Sequence, residues 1–291
     1  MAMPTDVKII DLLMGIPGEE HDDKAFDFLK PLLMDEESRQ MFKHPAQYMF
    51  KDLPDAGEQT DYVAYAIAQM DRNNVERSML GIDDGDSLSK QALQRYPNRF
   101  FASYETNPNR GMEEVRKIRR LHRDYDIKAV TSFPAGLCPP APLNDKKWYP
   151  VYATCVDLDI PFCPCVGVPG PRVPMGPQKV ELLDEVCWFF PELKVVMRHG
   201  GEPWEKLAWK LMLKYPNLYY STTAFAPKHY PKEIVEFANT RGADKIMYAG
   251  YFPMGLTLDR IFKEMPNVPF RDEVWPKFLR ENAIQVFKLD T

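Results

Sequence analysis

The sequence predicts an α/β fold, a (β/α)8 TIM barrel forming one domain over residues 1–291. Three observations carry that expectation. Short runs rich in apolar and β-branched residues recur eight times. Each alternates with a longer stretch whose apolar residues fall at helical spacing, the pattern of repeated βαβ units and a parallel sheet. The chain of 291 residues also suits a closed barrel of roughly 250 residues plus insertions.

The first run is VKIID, from Val7 to Asp11. A helical pattern from Thr60 to Asn74 precedes RSMLGI (Arg77 to Ile82), and a helix ending near Tyr96 precedes RFFASYE (Arg99 to Glu105). The charged helix MEEVRKIRRLHRDY leads into IKAVTSF (Ile127 to Phe133), and Trp148 to Asp157 leads into IPFCPCVG (Ile160 to Gly167). Gln178 to Phe190 precedes KVVMRHGG (Lys194 to Gly201), and Trp204 to Lys214 precedes NLYYSTT (Asn217 to Thr223). Glu233 to Thr240 precedes KIMYAGYFP (Lys245 to Pro253), and a helix over Asp272 to Phe287 closes the chain. The runs are nearly continuous in apolar residues, as strands buried on both faces should be. Residues 18–56 fit no simple βα unit and read as an insertion after the first strand, either a lid over the barrel mouth or a plain structural excursion.

Composition excludes several classes. The net charge is −5 with no basic stripe, which speaks against a nucleic-acid partner. No apolar run reaches the roughly 18 residues of a membrane span, and the N-terminus lacks the flank and core of a signal peptide, so a cytoplasmic location is expected. The five cysteines are odd in number and suggest no disulfide framework. Cys163 and Cys165 form a CxC without a second pair, and read as reduced, buried thiols.

The last three strands, in ELKVVMRHGGEPWEKLAW, KYPNLYYSTTA and GADKIMYAGYFPMG, followed by ENAIQVFKL, resemble the amidohydrolase-related family. That family includes 2-amino-3-carboxymuconate-semialdehyde and γ-resorcylate decarboxylases. RYPNRFFASYETNP and KKWYPVYATCVDLDIPFCPCVG extend the resemblance back to about Asp61. It implies an amidohydrolase-like barrel, a hydrolase or carboxy-lyase activity, and a homodimer. Typical members bind a divalent metal through Asp-x-His-x-His after the first strand, a histidine ending the fifth and an aspartate ending the eighth. Here those positions hold Leu13, Gly15, Cys165 and Tyr251. Catalytic zinc needs about three protein ligands, so no metal cofactor is expected unless ligands are rewired, for example from His21, Asp22 and Asp23 in EEHDD.

The sixth-strand histidine remains as His199, the main candidate for acid–base work, since an ordinary imidazole titrates near neutral pH. Arg198 precedes it and would face the other side of a regular strand, so only a bend would bring both into one pocket. Tyr251 would either donate to a substrate oxygen or fill the space of the metal. Asp11 is a structural acceptor or a catalytic acid. Cys165, Arg172, Lys228, His229 and Phe133 are candidates for substrate binding at or near strand ends. Glu105 and the carboxylates Asp83, Asp84 and Asp86 lie after the third and second strands, the latter three in good turn chemistry. The leading expectation is a metal-independent enzyme acting on a small hydrophobic or aromatic-derived carbonyl or carboxylate compound. The alternative is a non-catalytic relative that binds a ligand or supports a partner.

Overall fold

The computed structural model describes residues 3–18, 26–40, 46–50 and 52–290. The sequence alternation becomes eight strands: β1 (Ile9–Asp11), β2 (Val75–Gly81), β3 (Phe100–Glu105), β4 (Ala129–Ser132), β5 (Phe162–Pro164), β6 (Val195–Met197), β7 (Leu218–Ser221) and β8 (Ile246–Met247). They pair in parallel in chain order from β1 to β8. Beyond their ends, Met14 and Phe252 form a parallel bridge, and the Gly15 amide donates to the Phe252 carbonyl at 2.8 Å, joining the first strand region to the last.

Ten α-helices accompany the strands among the described residues: α1 (Glu36–Gln40), α2 (Tyr62–Arg72), α3 (Leu88–Arg95), α4 (Met112–Tyr125), α5 (Tyr149–Leu158), α6 (Leu182–Phe189), α7 (Glu205–Lys214), α8 (Lys232–Ala238), α9 (Leu258–Glu264) and α10 (Asn282–Phe287). Their starts follow local chemistry. Asp61 accepts from the Ala64 amide, Ser87 from Lys90 and Thr257 from Arg260, each satisfying an amide without an intrahelical partner. Two features differ from the expected elements. The final segment is not one uniform α-helix, because a π-helical turn over Lys277–Glu281 precedes α10. The helix α9 stands where no element was expected.

Alternation along the strands builds two apolar layers. Ile10, Leu12, Met79, Phe101, Ala129, Cys163, Val196, Met247 and Ala249 fill the barrel interior, where Ala283, Val286 and Phe287 of α10 join them. The intervening residues, such as Ile9, Leu80, Phe100, Val130, Phe162, Val195 and Tyr220, pack outward against the helices. The interior set fixes which strand-end residues look into the mouth.

The insertion packs on loops that follow strand ends. Leu29 and Leu33 form a small core with Ala135 and Val173, flanked by Phe26, Leu32 and Phe133. Tyr48 donates its hydroxyl to the Gly170 carbonyl at 2.5 Å, and Arg172 lies over the Tyr48 ring. The Phe50 ring packs on Tyr251 with centroids 5.4 Å apart. The described residues of 26–40 and 46–50 thus bridge the loops after β4, β5 and β8, on the mouth side. His21, Asp22 and Asp23 lie outside the described residues. No helix among those described is long and apolar enough to cross a membrane.

Candidate active site at the barrel mouth

Register alone assembles the site. Val196 faces the interior, so Arg198 two residues on does too; its bridge partner Cys165 shares that face with interior Cys163. Phe101 faces inward, and with it Ser103 and Glu105. Met79 likewise places Gly81 inward. The space beside these ends is open: a Cβ built on Gly81 would meet nothing within 4 Å, and Glu105 is exposed although it faces the interior.

Arg198 is only 8 % exposed, its Nε is buried without a hydrogen-bond partner, and none of its guanidinium nitrogens hydrogen-bonds or ion-pairs with a described residue. A buried charge left unpaired is costly, and native structures seldom keep one without a use. Its field is felt all round: it lowers the pKa values of Glu105, Cys163, Cys165 and His199.

The bend required to bring His199 beside Arg198 is present. His199 has φ +62°, followed by Gly200 at +83° and Gly201 at +71°. Left-handed backbone is uncommon for a residue with a side chain and costs of order 1–3 kcal/mol. Thr223 holds the turn by accepting from the His199 amide at 3.1 Å. Gly200 has no alternative, because a Cβ there would lie 2.4 Å from the Phe225 ring. The His199 ring meets Tyr251 edge-on at 6.1 Å. Burial, and then the Arg198 charge, lower its pKa to about 3. At neutral pH it is therefore an uncharged imidazole, which revises the expected neutral-pH titration.

Glu105 was not among the leading candidates, yet it is the carboxylate best placed in the mouth. Its neighbours are pinned from behind. The buried Glu114 of α4 accepts from the Tyr104 hydroxyl at 2.7 Å, the Thr106 hydroxyl at 2.8 Å and the Asn107 amide at 2.8 Å. Glu105 itself makes no hydrogen bond or ion pair with a described residue; although the side chain is exposed to the mouth, desolvation by the surrounding barrel wall raises its pKa against the pull of Arg198. The sequence signal that could have found it is the strand-end acid followed nine residues later by a helical glutamate that can reach back.

Asp11 lies apart from this group. It alternates with interior Ile10 and Leu12 and so faces outward, fully buried. One oxygen accepts from the Leu13 amide at 3.0 Å and the Gly250 amide at 2.8 Å; the other accepts from the Tyr248 hydroxyl at 3.2 Å. It stitches β1 to the end of β8, and burial raises its pKa to about 6 against those hydrogen bonds. These bonds are what the structural one of the two roles expected for it would need.

The remaining candidates divide clearly. Burial pushes the Cys165 thiol up to about 12, so it stays protonated. Phe133 packs into the small core beneath the insertion. Arg172 is turned to another use: it pairs with Asp35 at 2.9 Å and Glu37 at 2.8 Å and so ties down the insertion. Lys228 and His229 are exposed on a 3-10 turn after β7. Asp83 and Asp84 pair with Lys117, and Asp84 also with Arg120, outside the mouth.

The parallel strands, paired in order, define a (β/α)8 barrel protein, and the candidate groups gather at the strand C-termini, where sites of that fold usually lie. The chain belongs to the amidohydrolase family, whose model matches residues 34–289. Among solved structures it is similar to an uncharacterised TIM-barrel protein from Bordetella bronchiseptica, with 20% identity, a TM-score of 0.72, and 97% of this chain and 99% of that one covered. It is also similar to 5-carboxyvanillate decarboxylase from Sphingomonas paucimobilis, at 15% identity, TM-score 0.67, covering 98% and 100%. A third is a dihydroxybenzoic acid decarboxylase from Polaromonas sp. JS666 with bound manganese and 2-nitroresorcinol, at 16% identity, TM-score 0.62, covering 97% of each chain. At these identities the likeness is one of fold. Comparison with curated proteins finds no match.

The residues at the family's metal positions do not fit a divalent ion. Leu13 and Gly15 have no donor side chain, Cys165 holds its proton, and the Arg198 guanidinium beside Cys165 would repel a cation. Among the described residues, no three of His, Cys, Asp or Glu are grouped to hold a metal.

Proposed function

We propose that this protein is an enzyme acting on a small aromatic or similarly hydrophobic carboxylate or carbonyl compound, by decarboxylation or hydrolysis, with Arg198 serving where relatives use a metal. The observation that carries this reading is the buried Arg198 guanidinium, on the face that looks into the mouth, with no hydrogen-bond or ion-pair partner among the described residues. A carboxylate or developing oxyanion would satisfy it through charge-assisted, planar hydrogen bonds. The neutral His199 would hydrogen-bond the same substrate, and Tyr251, packed on His199 and Phe50, would wall an aromatic ring. Decarboxylation is favoured over hydrolysis by two of the similar structures, which are decarboxylases of aromatic acids.

The test is a panel of hydroxybenzoates assayed with chelator-treated protein. Turnover of at least one, unchanged by added manganese and lost in Arg198→Ala, is the expected result. Binding that depends on Arg198 without turnover of any compound would instead support the non-catalytic alternative, which the loss of donors at Leu13 and Gly15 favours. A homodimer remains part of the proposal by family likeness; light scattering should give twice the 33.7 kDa of the chain.

A further inference from the structure

We infer that Glu105 is the proton donor of this site, delivering a proton to the substrate carbon that loses its carboxylate while Arg198 holds that carboxylate. This rests on the decarboxylase reading above. Three features of the geometry carry it. Glu105 occupies an inward position, two residues beyond Ser103 and four beyond interior Phe101, and yet is exposed, so its side chain borders open space rather than core. That space continues over Gly81, whose partner across the β2–β3 register is Ser103. Finally, the residues flanking Glu105 are anchored to the buried Glu114 carboxylate through the Tyr104 and Thr106 hydroxyls and the Asn107 amide, while the Glu105 carboxyl itself has no hydrogen-bond or ion-pair partner among the described residues. A carboxyl that is unpaired among the described residues and feels the charge of Arg198 has no stabilising role in the fold that the contacts reveal.

The chemistry balances without a further reagent. The Glu105 carboxyl gives its proton to the ring carbon bearing the carboxylate. The carbon–carbon bond then breaks, its electron pair returns to the ring, and carbon dioxide leaves. Water reprotonates the Glu105 carboxylate for the next turnover. The groups that face Glu105 within the barrel set its behaviour: Arg198 after β6, Cys163 and Cys165 on and after β5, and His199 beyond Arg198. Arg198 favours the ionised carboxylate, whereas the surrounding barrel wall, which keeps bulk solvent from solvating the charge although the carboxyl reaches open space, disfavours it and raises the pKa of Glu105 on balance. Once a substrate carboxylate neutralises Arg198, Glu105 should hold its proton more firmly, so binding and protonation reinforce one another. The thiols remain neutral, and His199 starts uncharged.

The experiment uses calorimetric titration of the full-length protein with 2,6-dihydroxybenzoate, a ligand of a related decarboxylase, in two buffers of different ionisation enthalpy, beside turnover measurements. The intact protein should take up a proton on binding when the titration is run across about pH 5 to 8. Glu105→Gln should bind the probe within about three-fold of the intact protein, lose that uptake, and lose at least a hundred-fold in kcat with KM little changed. Glu105→Asp, which keeps an acid one carbon shorter, should retain part of the uptake and of kcat. Proton uptake or kcat in Glu105→Gln equal to that of the intact protein would overturn the inference. Should Glu105→Gln fail to fold, absence of any proton uptake by the intact protein would overturn it as well. Failure of the underlying reading looks different: the probe would then bind Arg198→Ala as tightly as the intact protein.

Discussion

At the residue scale, the arrangement turns on one cation. Removing one partner of a buried charged contact typically costs about 2–5 kcal/mol. Arg198→Ala should therefore weaken binding of a benzoate probe by roughly a hundred-fold or more, measured by titration. Arg198→Lys should recover only part of this, because an ammonium cannot reproduce planar two-point contact. Asp11 separates structural from catalytic roles. Asparagine matches its hydrogen bonds: the amide oxygen can accept from Leu13 and Gly250, and the amide nitrogen can donate to the Tyr248 hydroxyl. Asp11→Asn should fold within about 1 kcal/mol of the parent and keep activity, whereas Asp11→Ala should lose about 2–4 kcal/mol through unpaired buried donors. An Asp11→Asn protein that is stable but inactive would assign Asp11 to the chemistry. His199, Arg198 and Tyr251 were legible from RHGG and AGYFP, since the Gly-Gly turn allows the bend that brings the first two together. The low pKa of His199 was not, because burial and the Arg198 charge depend on packing that spacing does not report.

At the element scale, the insertion and the mouth are coupled by contacts from both ends. Arg172 and its two acids are all substantially exposed, and surface pairs of this kind are worth about 0–1 kcal/mol. Arg172→Ala should thus lower stability by less than about 1 kcal/mol in urea denaturation. Gly255 is more demanding, because a Cβ there would lie 2.6 Å from the Tyr251 ring and 2.7 Å from Phe50. Gly255→Ala should shift that aromatic pair, cost about 1–3 kcal/mol, and lower activity; unaltered activity would show that the pair does not shape the pocket. The strands were legible because each is a continuous apolar run. The helix α9 was not, since seven residues, LDRIFKE, offer too few turns for a periodic signal, although Thr257 is a recognisable cap. Arg172 looked like a substrate-binding cation because the acids that neutralise it lie far away in sequence, in the insertion.

At the scale of the whole molecule, two buried groups give stability opposite pH dependences. Asp11 has its pKa raised in the folded state, so its contribution is fully present below about pH 3.8 and is lost as pH rises through about 6. His199 has its pKa lowered, so its contribution is present above about pH 6.5 and is lost as pH falls toward about 3. Between pH 7 and pH 5 the two partly cancel. His199→Asn, chosen because asparagine tolerates left-handed backbone, leaves Asp11 unopposed. That variant should gain about 1 kcal/mol at pH 5 relative to pH 7, read from urea midpoints, and Asp11→Asn should change in the opposite direction relative to the parent. The barrel itself was legible from eight alternations. The join between β1 and β8 was not, because Asp11 and Gly250 meet across nearly the full length of the chain.

The most direct measurement is titration of the purified, chelator-treated protein with 2,6-dihydroxybenzoate, with and without manganese, alongside Arg198→Ala. Saturable binding that manganese leaves unchanged and that Arg198→Ala loses is the result expected if a guanidinium stands in for the metal. Binding that appears only with manganese, or that survives in Arg198→Ala, would contradict it.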